Sequence, residues 1–125
     1  MGNSDEAPLA DPTAGVRVLV VDDNRFAADA LVEGLRYLGF DSSAAYDGSG
    51  AVAEAQRQKP QVAVVDIGLP DCDGYNLAQR LRALYGDLRV IGLSGYPEWG
   101  RDDEVFDCRL VKPVALTKLR EAILG

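Results

Sequence analysis

A chain of 125 residues is enough for one domain with its own core, and 47% apolar against 26% charged residues is ordinary for a globular fold. A net charge of −7 with a pI near 4.5 argues against nucleic-acid binding. No apolar run approaches the ~18 residues of a membrane span. Histidine is absent, which excludes any hydrolase built on a His-containing triad and leaves Cys72 and Cys108 without the partners of a metal site. The N-terminus lacks the basic-then-apolar layout of a signal peptide, so the cytoplasm is the expected compartment and a structural disulfide is not expected.

Residues 1–15 are polar, contain two prolines and show no periodicity; they read as a flexible leader or linker ahead of a domain over 16–125. Strand-like and helix-like segments then alternate, the pattern of an α/β fold. Val16–Val21 predicts the first strand. Asn24 is placed to cap a helix carrying Ala27, Leu31, Leu35 and Leu38 as its apolar stripe, which Gly39 ends. Asp41–Ala45 predicts a short edge strand, Asp47-Gly48 a turn, and Ala51–Gln58 a helix closed by Pro60. Val62–Asp66 predicts the third strand and runs into the breakers Gly68-Leu69-Pro70. Asp73 caps a helix from Gly74 to about Tyr85, with Leu77, Leu81 and Leu84 facing inward. Leu88–Leu93 and Cys108–Val111 predict the last two strands, and Ala115–Leu124 the closing helix, buried through Leu116, Leu119 and Ile123. Between those strands, Gly95 to Asp107 holds two glycines, a proline and clustered acids. It leaves room for one or two helical turns at most, from Arg101 to Phe106.

Four of the apolar runs end in a chemically useful side chain: Asp22-Asp23, Asp66, Ser94 and Lys112. Continuous apolar runs read as strands buried on both faces of a parallel sheet, and open sheets of this class bind ligands at the carboxyl ends of their strands. Three carboxylates gathered there form a hard oxygen set suited to Mg2+. A lone Asp-Asp pair after a strand would more often cap a helix, but Asp66 stands in the same relation to a second strand. Asp66 is the candidate nucleophile, whose attack on phosphorus gives an acyl phosphate. Ser94 and Lys112 supply the hydroxyl and the positive charge that a phosphoryl group needs. The Lys112-Pro113 bond is expected to be trans, since only about 5–6% of X–Pro bonds in folded proteins are cis.

The segments VLVVDDN, VVDIGLPDCDGY, IGLSGY and LVKP resemble the signature segments of the response-regulator receiver domain, over nearly all of Val16 to Gly125. The wording DIGLPDCDGY is most similar to receivers of hybrid sensor histidine kinases. The resemblance implies a flavodoxin-like (βα)5 fold with strand order 2-1-3-4-5. It implies a phosphoacceptor that takes its phosphoryl group from a histidine kinase or histidine phosphotransfer protein onto Asp66. It further implies Mg2+, with Mn2+ as a substitute, bound by Asp23, Asp66 and the Gly68 carbonyl, with Asp22 acting through water. Ser94 would be the switch hydroxyl and Lys112 the ion-pair partner of the phosphoryl group. A homodimer is a further partner class open to such domains. On this reading the chain is no enzyme beyond its own phosphorylation and dephosphorylation.

Two departures from the family pattern stand out. Arg109 occupies the position, three before the lysine, where receivers usually carry an aromatic residue, or histidine in some hybrid-kinase relatives. A guanidinium does not bury itself cheaply, so a rotating-aromatic readout is not expected. Ser94 and Lys112 also stand a few residues closer in sequence than is usual, which shortens or removes the fourth helix of the family fold. The alternative reading is therefore a receiver-like interaction or phosphate-sink domain with an atypical output face. A phosphatase with an aspartate nucleophile would want a second acid two positions on, where Gly68 stands. A dinucleotide-binding domain would want a glycine-rich first turn, which VDDNRF lacks.

Overall fold

The computed structural model describes residues 11–69, 71, 73–95 and 105–125. Strand and helix alternate as β1 (Arg17–Val21), α1 (Arg25–Tyr37), β2 (Asp41–Ala45), α2 (Gly48–Gln58), β3 (Val62–Asp66), α3 (Gly74–Leu84), β4 (Arg89–Ser94), β5 (Cys108–Val111) and α4 (Leu116–Leu124). The five strands are parallel and lie in the order β2-β1-β3-β4-β5, as expected. Here α4 denotes the closing helix. The expected shortening of a helix between β4 and β5 falls on residues 96–104, outside the described residues.

Successive strand residues point to opposite sheet faces, and here both faces are covered. Leu19, Val21, Ala63 and Val65 pack on one side against Ala51 and Ala55 of α2 and Leu77 and Leu81 of α3. Val18, Val20, Val62, Val64 and Ile91 pack on the other against Ala28, Val32 and Leu35 of α1 and Leu119 and Ile123 of α4. Double coverage is why the central strands are apolar at every position rather than at alternate ones.

Several local expectations shift. The buried stripe of α1 is Ala28, Val32 and Leu35, with Ala27, Leu31 and Leu38 half-buried beside it. Asp47 caps α2 by accepting from the Gly50 N–H at 2.7 Å, so that helix starts at Gly48 rather than Ala51. It ends on Lys59 in the left-handed conformation (φ 55°), one residue before Pro60. Leu84, expected to face inward, is exposed: the buried face of α3 runs through Leu77, Ala78 and Leu81, and at about 100° per residue Leu84 falls at its edge. Helices α1 and α4 approach closely enough that a Cβ at Gly34 would lie 2.6 Å from the Leu116 side chain. Lys112-Pro113 is cis, against the expectation of trans, the fold around it overriding the general preference.

Residues 11–15, read from the sequence as part of the leader, carry specific contacts. The buried Thr13 hydroxyl lies 2.6 Å from the Leu38 carbonyl at the end of α1 and 2.8 Å from the Asp11 carboxylate. The Thr13 N–H donates to the same carboxylate at 3.0 Å. Gly39 turns the chain immediately after α1 at φ 107°, and a Cβ there would meet the Thr13 hydroxyl at 2.6 Å.

Candidate functional site

The register of the sheet gathers the site. Val21 pairs with Val65, so Asp22 leaves β1 beside Asp66, the last residue of β3. Asp66 pairs with Leu93, which puts Ser94 at the next position of β4, and Ser94 pairs with Val111, which puts Lys112 just beyond β5. Every candidate drawn from the strand ends therefore reaches the same edge of the sheet. The Lys112 N–H donates to the Ser94 carbonyl at 2.7 Å, which ties those two ends together.

Carboxylate oxygens of Asp22, Asp23 and Asp66 lie within 4.8 Å of one another. Asp22 and Asp66 are buried and Asp23 is exposed, so the cluster opens to solvent on the Asp23 side. Lys112 Nζ donates to Asp66 Oδ2 at 3.0 Å and to Asp22 Oδ2 at 3.3 Å. The other oxygens are held by backbone: Asp66 Oδ1 accepts from the Gly68 N–H at 3.1 Å, and Asp22 Oδ1 from the Asn24 N–H at 2.9 Å. Asn24 in turn accepts from the Ala27 N–H, so one Asp-Asp-Asn run both orients Asp22 and starts α1.

The electrostatics follow from this packing. Burial pushes the Asp22 carboxyl above the usual carboxylate range, reinforced by the charge of Asp66 and opposed by the Asn24 N–H and by Lys112. Burial alone would pull the Lys112 ammonium down, but its bonds and charge attraction to Asp66 and Asp22 outweigh it and raise its pKa. Three acids around one ammonium leave uncompensated negative charge, and all their donor atoms are hard oxygens. That chemistry fits a small divalent cation of the Mg2+ class, and suits neither a soft metal nor a neutral ligand.

The loop after β3 is built to keep Asp66 in place. The Ile67 N–H donates to the Leu93 carbonyl at 3.1 Å and the Gly74 N–H to the Ile67 carbonyl at 2.9 Å. Gly68 and Asp73 form an antiparallel bridge across the loop. Asp71 was absent from the residues singled out in the sequence, yet its two oxygens accept from the N–H groups of Gly48 and Ser49 at the start of α2, at 2.7 and 3.1 Å. No periodicity marks such a contact; an acid in a breaker-rich loop is its only sequence trace. Arg109 is exposed on β5, in keeping with a residue that does not bury. Beside Lys112 a groove of about 620 Å³ opens between Ala27, Ala30 and Leu31 of α1 and the Pro113-Val114 turn. Cys72 and Trp99 lie outside the described residues.

A sequence model of the response regulator receiver domain matches residues 18–124. The transcriptional regulatory protein PrrA of Mycobacterium leprae is 39% identical over 82% of this chain, which spans 46% of PrrA. The virulence sensor protein BvgS of Bordetella bronchiseptica is 34% identical over 94% of this chain, which spans 10% of BvgS. The chain thus corresponds to less than half the length of these curated relatives. Among solved structures, response regulator protein TrrA of Thermotoga maritima, determined in complex with Mg(2+)-BeF, superposes with a TM-score of 0.78 at 27% identity, covering 86% of this chain and 95% of TrrA. Sheet order, strand-end acids, lysine and matched profile agree: the chain belongs to the response regulator receiver domains of two-component signalling.

Proposed function

We propose that Asp66 is the phosphoacceptor of this receiver domain, and that Asp23, Asp66 and the Gly68 carbonyl hold Mg2+ while Asp22 acts through water. The observation that carries this reading is the placement of Lys112 Nζ 3.0 Å from Asp66 Oδ2, within a cluster of three carboxylates. The structure of TrrA with Mg(2+)-BeF supports it, since a beryllium fluoride group has the shape and charge of a phosphoryl group. Bound Mg2+ would neutralise charge on the acids and on the incoming phosphoryl oxygens.

The donor on this reading is the phosphohistidine of a histidine kinase or histidine phosphotransfer protein. An Asp66 carboxylate oxygen attacks phosphorus, a P–O bond forms and the P–N bond breaks. The electron pair leaves on the imidazole nitrogen, which takes a proton from water. Lys112 then exchanges its contact with Asp66 for one with the phosphoryl oxygens, and Ser94, buried at the end of β4, supplies a hydroxyl beside them. The groove between α1 and Pro113 gives a donor an apolar surface next to the reacting carboxylate. No catalysis is assigned beyond the domain's own phosphorylation and autodephosphorylation. Donors of this kind are charged from ATP, so the compartment on this reading is the cytoplasm. No helix among the described residues is long and apolar enough to cross a membrane.

Intact-mass analysis after incubation with acetyl phosphate and MgCl2 tests the assignment. One phosphoryl adduct is expected, lost in Asp66→Asn and lost with chelator. An adduct of equal yield in that variant, or without metal, would overturn it.

A further inference from the structure

We infer that Asp71 is a positioning residue for the divalent-cation site, acting by pinning the tip of the β3–α3 loop to the start of α2. The inference rests on the metal reading above and adds to it a residue that touches neither cation nor phosphoryl group.

The loop from Ile67 to Asp73 carries the Gly68 carbonyl and is closed at three levels. At its base the Gly74 N–H meets the Ile67 carbonyl, and one step further Gly68 bridges Asp73. Both closures are made within the loop itself, and its first half is tied to the sheet by the Ile67 N–H on the Leu93 carbonyl and by Ile67 and Leu69 packing on the core. Asp71 supplies the contact that ties the loop to a helix. Its Oδ1 accepts from the Gly48 N–H at 2.7 Å and its Oδ2 from the Ser49 N–H at 3.1 Å. Those N–H groups belong to the first turn of a helix, where they have no partner within the helix and where the positive end of the helix dipole favours a carboxylate. Asp47 already serves the same terminus as its cap, accepting from the Gly50 N–H at 2.7 Å. The second acid is therefore not needed to start the helix. Its consequence is at the other end of the contact, where it fixes the loop two residues beyond Leu69 to a rigid element across the crevice.

Asp47 provides the control that separates positioning from helix stability and from charge. Asp47→Ala and Asp71→Ala each remove one negative charge from the same helix start, with one and two backbone-accepting oxygens respectively, but only Asp71→Ala releases the loop. MgCl2 titrations of the full 125-residue chain, followed by backbone amide shifts, should give wild-type and Asp47→Ala similar affinities. Asp71→Ala should bind roughly tenfold more weakly, the low end of what loss of an outer partner costs a metal site. Asp71→Asn keeps one acceptor oxygen and should fall between, which also serves if the alanine variant does not fold. Before any metal is added, the Gly48 and Ser49 amide protons should move upfield in Asp71→Ala, having lost a charged acceptor. Wild-type chain that does not bind Mg2+ would overturn the metal reading and this inference with it. Wild-type binding with equal affinity in Asp71→Ala and Asp47→Ala, or unmoved Gly48 and Ser49 amides, would overturn the inference alone.

Discussion

Gly74 packs so tightly on Ile67 that a Cβ added to it would lie 2.5 Å from the Ile67 α-carbon and 2.7 Å from the Asp66 carbonyl oxygen. The residue that opens α3 is in this way pressed against the backbone of Asp66, the proposed phosphoacceptor. Neither neighbour is a flexible side chain, so no rotamer change relieves the overlap. Gly74→Ala should therefore destabilise the fold by about 3 kcal/mol, the upper part of the range for overpacking. It should also weaken Mg2+ binding, since the displaced backbone includes the residue before Gly68. Urea unfolding with the same denaturant slope and a lower midpoint checks the first expectation, and a metal titration the second. A variant as stable as wild type would show that the loop shifts freely.

Asp22 gives a pH-dependent expectation. A carboxyl whose folded-state pKa lies above its unfolded value binds more protons when folded within that window. Stability then falls as pH rises from the ordinary value of 3.8 through the raised one. Above the window the ionised, buried Asp22 lowers stability by a constant amount. Lys112 has the opposite sign: its raised pKa adds stability that is complete below the ordinary 10.5 and is lost as pH rises through the folded value. Asp22→Asn should raise the melting temperature at pH 7 by roughly a few degrees, with the advantage shrinking as pH approaches 3.8. A lower melting temperature at pH 7 would contradict this. The same variant should lose less Mg2+ affinity than Asp23→Asn, because the exposed Asp23 is assigned a direct bond and Asp22 a water-mediated one.

Asp107 anchors the return of the chain into β5. Its Oδ2 accepts from the Val90 N–H at 2.8 Å and pairs with Arg82 of α3 at 2.5 Å, while the Arg82 Nε donates to the Val105 carbonyl at 2.6 Å. The neighbouring Phe106 is buried edge-on against Tyr75, ring centroids 5.4 Å apart. Asp107→Ala leaves both the Val90 N–H and Arg82 without this acceptor and should cost about 2 kcal/mol. Arg82→Ala should cost less, since the Val90 bond survives. Chemical denaturation of the two variants and the double variant checks this ordering, and the double should be less than additive.

The residues proposed to carry the chemistry were legible because each stands at, or just beyond, the end of a strand. A buried parallel sheet forces apolar runs, and Asp22-Asp23, Asp66, Ser94 and Lys112 interrupt those runs at the positions that the register then aligns. Strand order was not readable from periodicity and came from the resemblance of whole segments. What escaped was contact between segments distant in sequence. Thr13 with Leu38, Asp71 with Gly48 and Arg82 with Asp107 each depend on where loops fall after folding, and no local pattern encodes that. Of the expected α1 stripe, Leu35 is buried and Leu31 and Leu38 pack partly buried against the core, while the deepest positions beside Leu35 are Ala28 and Val32, each one residue past the expected Ala27 and Leu31.

The clasp between Thr13 and Leu38 has a mechanical consequence. Leu38 ends α1 at the side of the sheet where strands begin, opposite the edge where the acids meet. A pull or twist delivered through the backbone at Asp11 is borne first by that helix end and by the start of β1. The carboxylate cluster lies at the far end of the load path, shielded by the length of the first strand. Movement imposed at Asp11 and charge placed on Asp66 are thus separated by the length of the strands.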